Sequence, residues 1–200
     1  MLPAWFVLFS VAIRLFSGGQ YAWGVLRGKA RPNPVTWFLW GLTAMIAFLA
    51  QLQNGPTAQS LVTFVLGLSP LVIFAIAMGK DRGRGHFTPF TISCGVIALI
   101  GIVLWQLTTN PELAIAFAIA ADICASLPTL RKAYHDPESE YAFPYLLSSV
   151  SMLITLATIT NWSFTVYAFP LYMMSINVVL YGVSRFRVRR MVRRLTARHA

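Results

Sequence analysis

Arg14 and Asp122 stand apart from the other charged residues of the chain. Each sits in the interior of a long apolar segment, Arg14 in 3–26 and Asp122 in 113–131. A charge buried in an apolar setting is costly and needs a partner or water. Such a pair can neutralise itself, contact a polar solute, or move a proton if the carboxylate titrates. Arg14 falls roughly 18 Å along its helix and Asp122 roughly 15 Å along its own, so their depths match. The expectation is that they face each other across a central path, lining or locking it. Catalysis finds no comparable pairing. His86, His135 and His199 lie in polar connections or the C-terminal tail. No His, Asp and Glu cluster has ligand spacing, and no glycine-rich phosphate loop is present. The expected protein is therefore not an enzyme and carries no metal or cofactor. Cys94 and Cys124 fall within apolar segments and are expected to be small packing residues.

The elements that must position Arg14 and Asp122 follow from composition. Of 200 residues, 57% are hydrophobic and only 11% charged. Ordinary soluble domains carry about 25% charged residues, so the expected solvent is lipid. Seven segments are long and apolar enough to cross a bilayer: 3–26, 35–52, 58–79, 87–107, 113–131, 141–160 and 163–184. The first lacks a basic leader and a clear cleavage site, so it is expected to be a retained helix.

Orientation follows from charge. The net charge is +10. Arg27, Lys29 and Arg31 lie in the first connection, Lys80, Arg82 and Arg84 in the third, and Arg131 and Lys132 in the fifth. Seven arginines follow from Arg185 to Arg198. The second, fourth and sixth connections have no basic residue. With seven spans, every basic stretch falls on one side. This places the N-terminus outside and the C-terminus in the cytoplasm, with a bacterial cytoplasmic membrane as the expected location. The arginine-rich tail suits anionic lipid headgroups, not nucleic acid. Trp5, Trp105 and Trp162 fall near the outer boundary and Trp23 and Trp37 near the inner one, depths that suit indole rings. Asn161-Trp162-Ser163 matches a glycosylation sequon in a very short connection.

The spans repeat. Segments 1–3 and 5–7 have similar lengths, each with a charged first connection and a short uncharged second one. Leu26-Arg27 falls over Leu130-Arg131, and Pro32 near Pro137. Two three-span units joined by a single span are parallel, about an axis along the membrane normal. The predicted fold is an all-α membrane protein with seven transmembrane helices in a 3+1+3 arrangement. Residues 1–80 form the first triple-helix bundle, 81–111 the linker helix, 112–184 the second bundle and 185–200 a basic cytoplasmic tail.

Pro128-Thr129-Leu130-Arg131-Lys132, followed by Pro137-Glu138-Ser139-Glu140, resembles a PQ-loop signature. With the topology, it makes the chain similar to the SWEET and PQ-loop transporter superfamily, and most similar to a bacterial subgroup of it. Thr129 stands where the motif has glutamine, and Gly24 occupies the first repeat's equivalent of Pro128. The resemblance implies a small-solute transporter, for a sugar or similar polar metabolite, alternating access around a midplane site between the bundles. It also implies that Asn177, with Trp37 and Trp40, contacts solute. Pro128, Gly24, Pro70 and Pro170 become the hinge candidates. Tyr141 and Tyr145 are approximate counterparts of the two tryptophans and are read as packing residues. Gly18-Gly19-Gln20 reads as a flexible point or a close-packing patch. A non-transporting receptor or accessory subunit with the same fold is the alternative. The expected partners are the lipid bilayer and a small polar solute. A homo-oligomer is left open by the sequence.

Overall fold

A computed structural model of the chain describes residues 3, 5–53, 58–80, 87–159 and 162–186. Arg82, Arg84, His86, Asn161 and the tail from 187 to 200 lie outside the described residues. Among the described residues the protein is all-α, with seven helices and no strand. They are α1 (Phe6–Leu26), α2 (Pro34–Gln53), α3 (Ala58–Gly79), α4 (Pro89–Leu107), α5 (Pro111–His135), α6 (Phe143–Ala157) and α7 (Phe164–Phe186), with a 3-10 turn at Pro137–Ser139 before α6.

Local chemistry explains the helix starts. Three helices begin with a capping residue followed by proline, whose fixed φ and missing N–H suit the first turn. Asn33 Oδ1 accepts from Val35 N (3.1 Å) and Thr36 N (3.3 Å) ahead of α2. Thr88 Oγ1 accepts from Thr91 N at 3.2 Å ahead of α4. Asn110 Oδ1 accepts from Glu112 N (2.9 Å) and Leu113 N (3.2 Å) ahead of α5. The end of α1 is set by Gly28, which has φ 74°. Its N–H bonds Val25 O (3.0 Å) while Lys29 N bonds Gly24 O (2.8 Å), the paired bonds of a glycine C-cap.

The helix bounds agree with the predicted segments to within a few residues except at α5. The sequence ends that segment at 131, whereas the helix continues to His135. Lys132 and His135 are favoured beside the exposed carbonyls of a helix C-terminus. Asp136, the residue before Pro137, then leaves the helical region, as the proline ring demands. Arg131 and Lys132 thus stand near the C-terminal end of a helix, not in a loop.

The first three helices and the last three share one spatial order. α1 lies against α3 and α3 against α2; α5 lies against α7 and α7 against α6. Between the two sets, α1 packs on α6 and α2 on α5, while α4 lies against α5 and α2. Hydroxyls stitch these contacts. Ser17 Oγ donates to Pro144 O at 2.7 Å, Ser151 Oγ to Ser10 O at 2.9 Å, and Thr36 Oγ1 to Ala125 O at 2.6 Å. The last bond falls beside the break in the α5 ladder caused by Pro128, which has no N–H to give.

Candidate functional site

Five of the nine sequence-predicted residues, Arg14, Trp37, Trp40, Pro70 and Asn177, meet at one small cavity between the two sets of helices. Arg14, Ser17, Gly18 and Tyr21 line it from α1, Trp37 and Trp40 from α2, Ser69 and Pro70 from α3, and Pro144, Tyr145 and Ser148 from α6, with Asn177 from α7. Its volume is about 30 Å³, room for about one water.

Aromatic packing builds one wall. The Tyr21 and Trp37 rings are 4.4 Å apart, and Trp40 stands edge-on to Trp37 at 5.2 Å. Asn177 is buried, and its Nδ2 donates to Met173 O of its own helix at 2.7 Å. It therefore does not bridge helices through that amide nitrogen. Arg14 Nη1 is buried without a hydrogen-bond partner.

Asp122 is not among the cavity-lining residues. It is buried beside Trp40, within electrostatic reach of Arg14. Its Oδ2 accepts from Tyr172 at 2.6 Å and from Ser126 at 3.2 Å. Trp40 approaches the carboxylate, yet its Nε1 forms no hydrogen bond. Among the described residues no Arg14–Asp122 ion pair forms within 4.0 Å. α1 and α5 do not pack side by side.

The hinge candidates separate. Pro70 is buried in α3 and lines the cavity. Pro170 is half-buried in α7 away from it. Gly24 is buried at the end of α1, where a Cβ would lie 3.0 Å from the Tyr141 ring. Pro128, buried in α5, lines a different and more open hollow of about 420 Å³, together with Asn33, Phe90, Arg131 and His135. Arg131 stacks over Phe90 there, 4.6 Å from the ring centroid.

One network escaped sequence reasoning. Glu140 is buried, and its Oε2 accepts from Tyr21 (2.6 Å) and Tyr145 (2.8 Å). Its Oε1 pairs with Lys132 Nζ, which also donates to Arg31 O. Arg31 N in turn donates to Ser139 O at 2.8 Å. The α1–α2 connection is thereby tied to the end of α5 and the start of α6, directly under the cavity. Tyr21 and Tyr145 belong to both the cavity wall and this network. Glu140 reads from sequence as one more loop charge; its position next to the apolar segment 141–160 was the available signal.

Compared with protein-family models, curated proteins and solved structures, the chain matches none.

Proposed function

We propose that the chain spans the bilayer seven times as two parallel triple-helix bundles joined by α4, and that it carries a small polar solute by alternating access. The shared spatial order of α1–α3 and α5–α7 supports the 3+1+3 reading. The distribution of polarity supports the membrane. Leu8, Leu15, Ile100, Val103, Leu153 and Val178 are exposed, while Ser17, Thr36, Asp122, Ser148 and Asn177 are buried. Exposed apolar surface on this scale suits an apolar solvent, and small polar residues suit helix contacts within lipid. By length and composition α4 and the Val166–Phe186 part of α7 can each cross a membrane; Phe64–Gly79 and Phe143–Ala157 are shorter apolar helices. The likeness to the SWEET and PQ-loop superfamily belongs to this proposal, as does the cytoplasmic placement of the basic end.

The observation that carries the transport reading is the cavity itself. It lies between the two bundles, mixes polar with aromatic lining, and shares Tyr21 and Tyr145 with the Glu140 network. Solute would pass when Tyr21 and Tyr145 part from Glu140 and the bundles rock. Proteoliposome uptake over a panel of sugars, amino acids and organic acids tests it. Saturable uptake that Asn177→Ala lowers is expected.

A second reading, a non-transporting receptor or accessory subunit, is favoured by the small size of the cavity, about 30 Å³. Uptake of no solute across the panel would select it.

A further inference from the structure

Three buried nitrogen donors on cavity-lining residues form no hydrogen bond, although Trp40 stands close to the Asp122 carboxylate. Arg14 Nη1, Trp37 Nε1 and Trp40 Nε1 are each shut off from solvent, and none has a hydrogen-bond partner in the protein. All three side chains line the same cavity. A buried donor left unpaired is costly, more so when it is charged, and natural interiors pair nearly all such groups. Three orphans around one space mark a site shaped for an acceptor.

Most neighbouring polar groups are committed elsewhere; the Ser69 hydroxyl and Asn177 Oδ1 are the acceptors left in the lining. Ser17 donates to Pro144 O, and the Tyr21 and Tyr145 hydroxyls are turned to Glu140. Asn177 Nδ2 gives one of its two hydrogens to Met173 O. Asp122, the buried acid nearest in charge to Arg14, is held by Tyr172 and Ser126 and stays outside the lining. It offsets part of the cost of burying the guanidinium and leaves Arg14 Nη1 without an acceptor.

We infer that the solute of this site is a small monocarboxylate, its oxygens accepting from Arg14 and from the Trp37 and Trp40 indoles. The inference rests on the transport reading and narrows its substrate class. A carboxylate is acceptor-only, and a guanidinium meets it with a matching fork of donors. The lining holds one cation and no acid, which suits a single negative charge. A neutral sugar brings hydroxyls that donate as well as accept, and the orphaned groups offer donors alone. The carboxylate enters the space between Arg14 and the indoles; the remainder of the molecule requires the bundles to part.

Binding and transport are tested separately. Purified protein in detergent is titrated with sodium acetate and sodium lactate, matched by sodium chloride, with glucose and glycine as neutral and zwitterionic probes. Tryptophan fluorescence and melting temperature report binding. A saturable response to the carboxylates that chloride, glucose and glycine do not reproduce is expected. Arg14→Gln should weaken it about ten- to hundredfold, and Arg14→Lys less. If Arg14→Gln does not fold, Trp40→Phe, which deletes an indole N–H, should weaken lactate binding about fivefold or more. No saturable response to either carboxylate, or an equal response to chloride or glucose, overturns the inference. Carboxylate binding without uptake in proteoliposomes upholds the anion site and overturns the transporter. Glucose uptake unchanged by Arg14→Lys, without carboxylate binding, does the reverse.

Discussion

Tyr172 donates to Asp122 across the α5–α7 contact at 2.6 Å, and this bond, with Ser126 at 3.2 Å, orients the carboxylate. Arg14 shares the electrostatic field of Asp122 but no ion pair with it. The two charges therefore have separate duties. Asp122 joins α5 to α7 within the last three helices, while Arg14 faces the cavity from α1.

A double-mutant cycle tests that separation. Asp122→Asn and Tyr172→Phe should couple strongly, by about 1.5–3 kcal/mol in unfolding free energy, because the bond joins a hydroxyl to a charged acceptor. Arg14→Gln and Asp122→Asn should couple by less than about 1 kcal/mol, as charges without contact do. A coupling of several kcal/mol between positions 14 and 122 would restore the locked ion pair expected from the sequence.

The helices were legible because apolar length and basic punctuation are strong, redundant signals. Arg14 was legible as a charge inside an apolar segment, Trp37, Trp40 and Asn177 through the family likeness and Pro70 as a proline within a span, and all five line one cavity. Asp122 was found but misplaced. Depth can be counted along a helix, whereas rotation about a helix axis cannot when every face is apolar. Glu140, Tyr21 and Lys132 were missed for a different reason. Their network joins residues more than a hundred positions apart through a connection, and loop charges carry no periodicity that reveals such a partner. The end of α5 was misread because basic residues punctuate spans and also cap helices.

The Glu140 network predicts a graded response. Glu140→Ala removes the centre of a buried ion pair and strands Tyr21, Tyr145 and Lys132, so it should cost about 3–5 kcal/mol. Tyr21→Phe removes one bond to the carboxylate and should cost about 1.5–3 kcal/mol. Thermal unfolding in detergent measures both. A gate also predicts access. In a Cys94→Ala, Cys124→Ala background, a thiol introduced by Ser148→Cys should react faster with a water-soluble reagent when Glu140→Gln is added. A lowered melting temperature of that variant without faster labelling would mark the network as a tie that holds the connections and nothing more.

The adjacent glycines Gly18 and Gly19 should behave oppositely, which decides between a flexible point and a close-packing patch. A Cβ at position 18 would lie 2.0 Å from Ser69 Oγ and 3.2 Å from Ser69 Cβ, whereas one at position 19 meets open space. Both glycines lie within an unbroken α1, so alanine should help wherever there is room, by up to about 1 kcal/mol. Gly19→Ala is accordingly expected to be neutral or stabilising. Gly18→Ala drives α1 from α3 and should cost about 1–3 kcal/mol. Adding Ser69→Ala removes the clashing hydroxyl and should recover part of that loss. If instead both alanine variants impair activity equally while leaving the melting temperature unchanged, flexibility of α1 is the property being selected. Since Gly18 and Ser69 both line the cavity, the packing reading further requires that Gly18→Ala weaken solute binding along with stability, and that the two recover together.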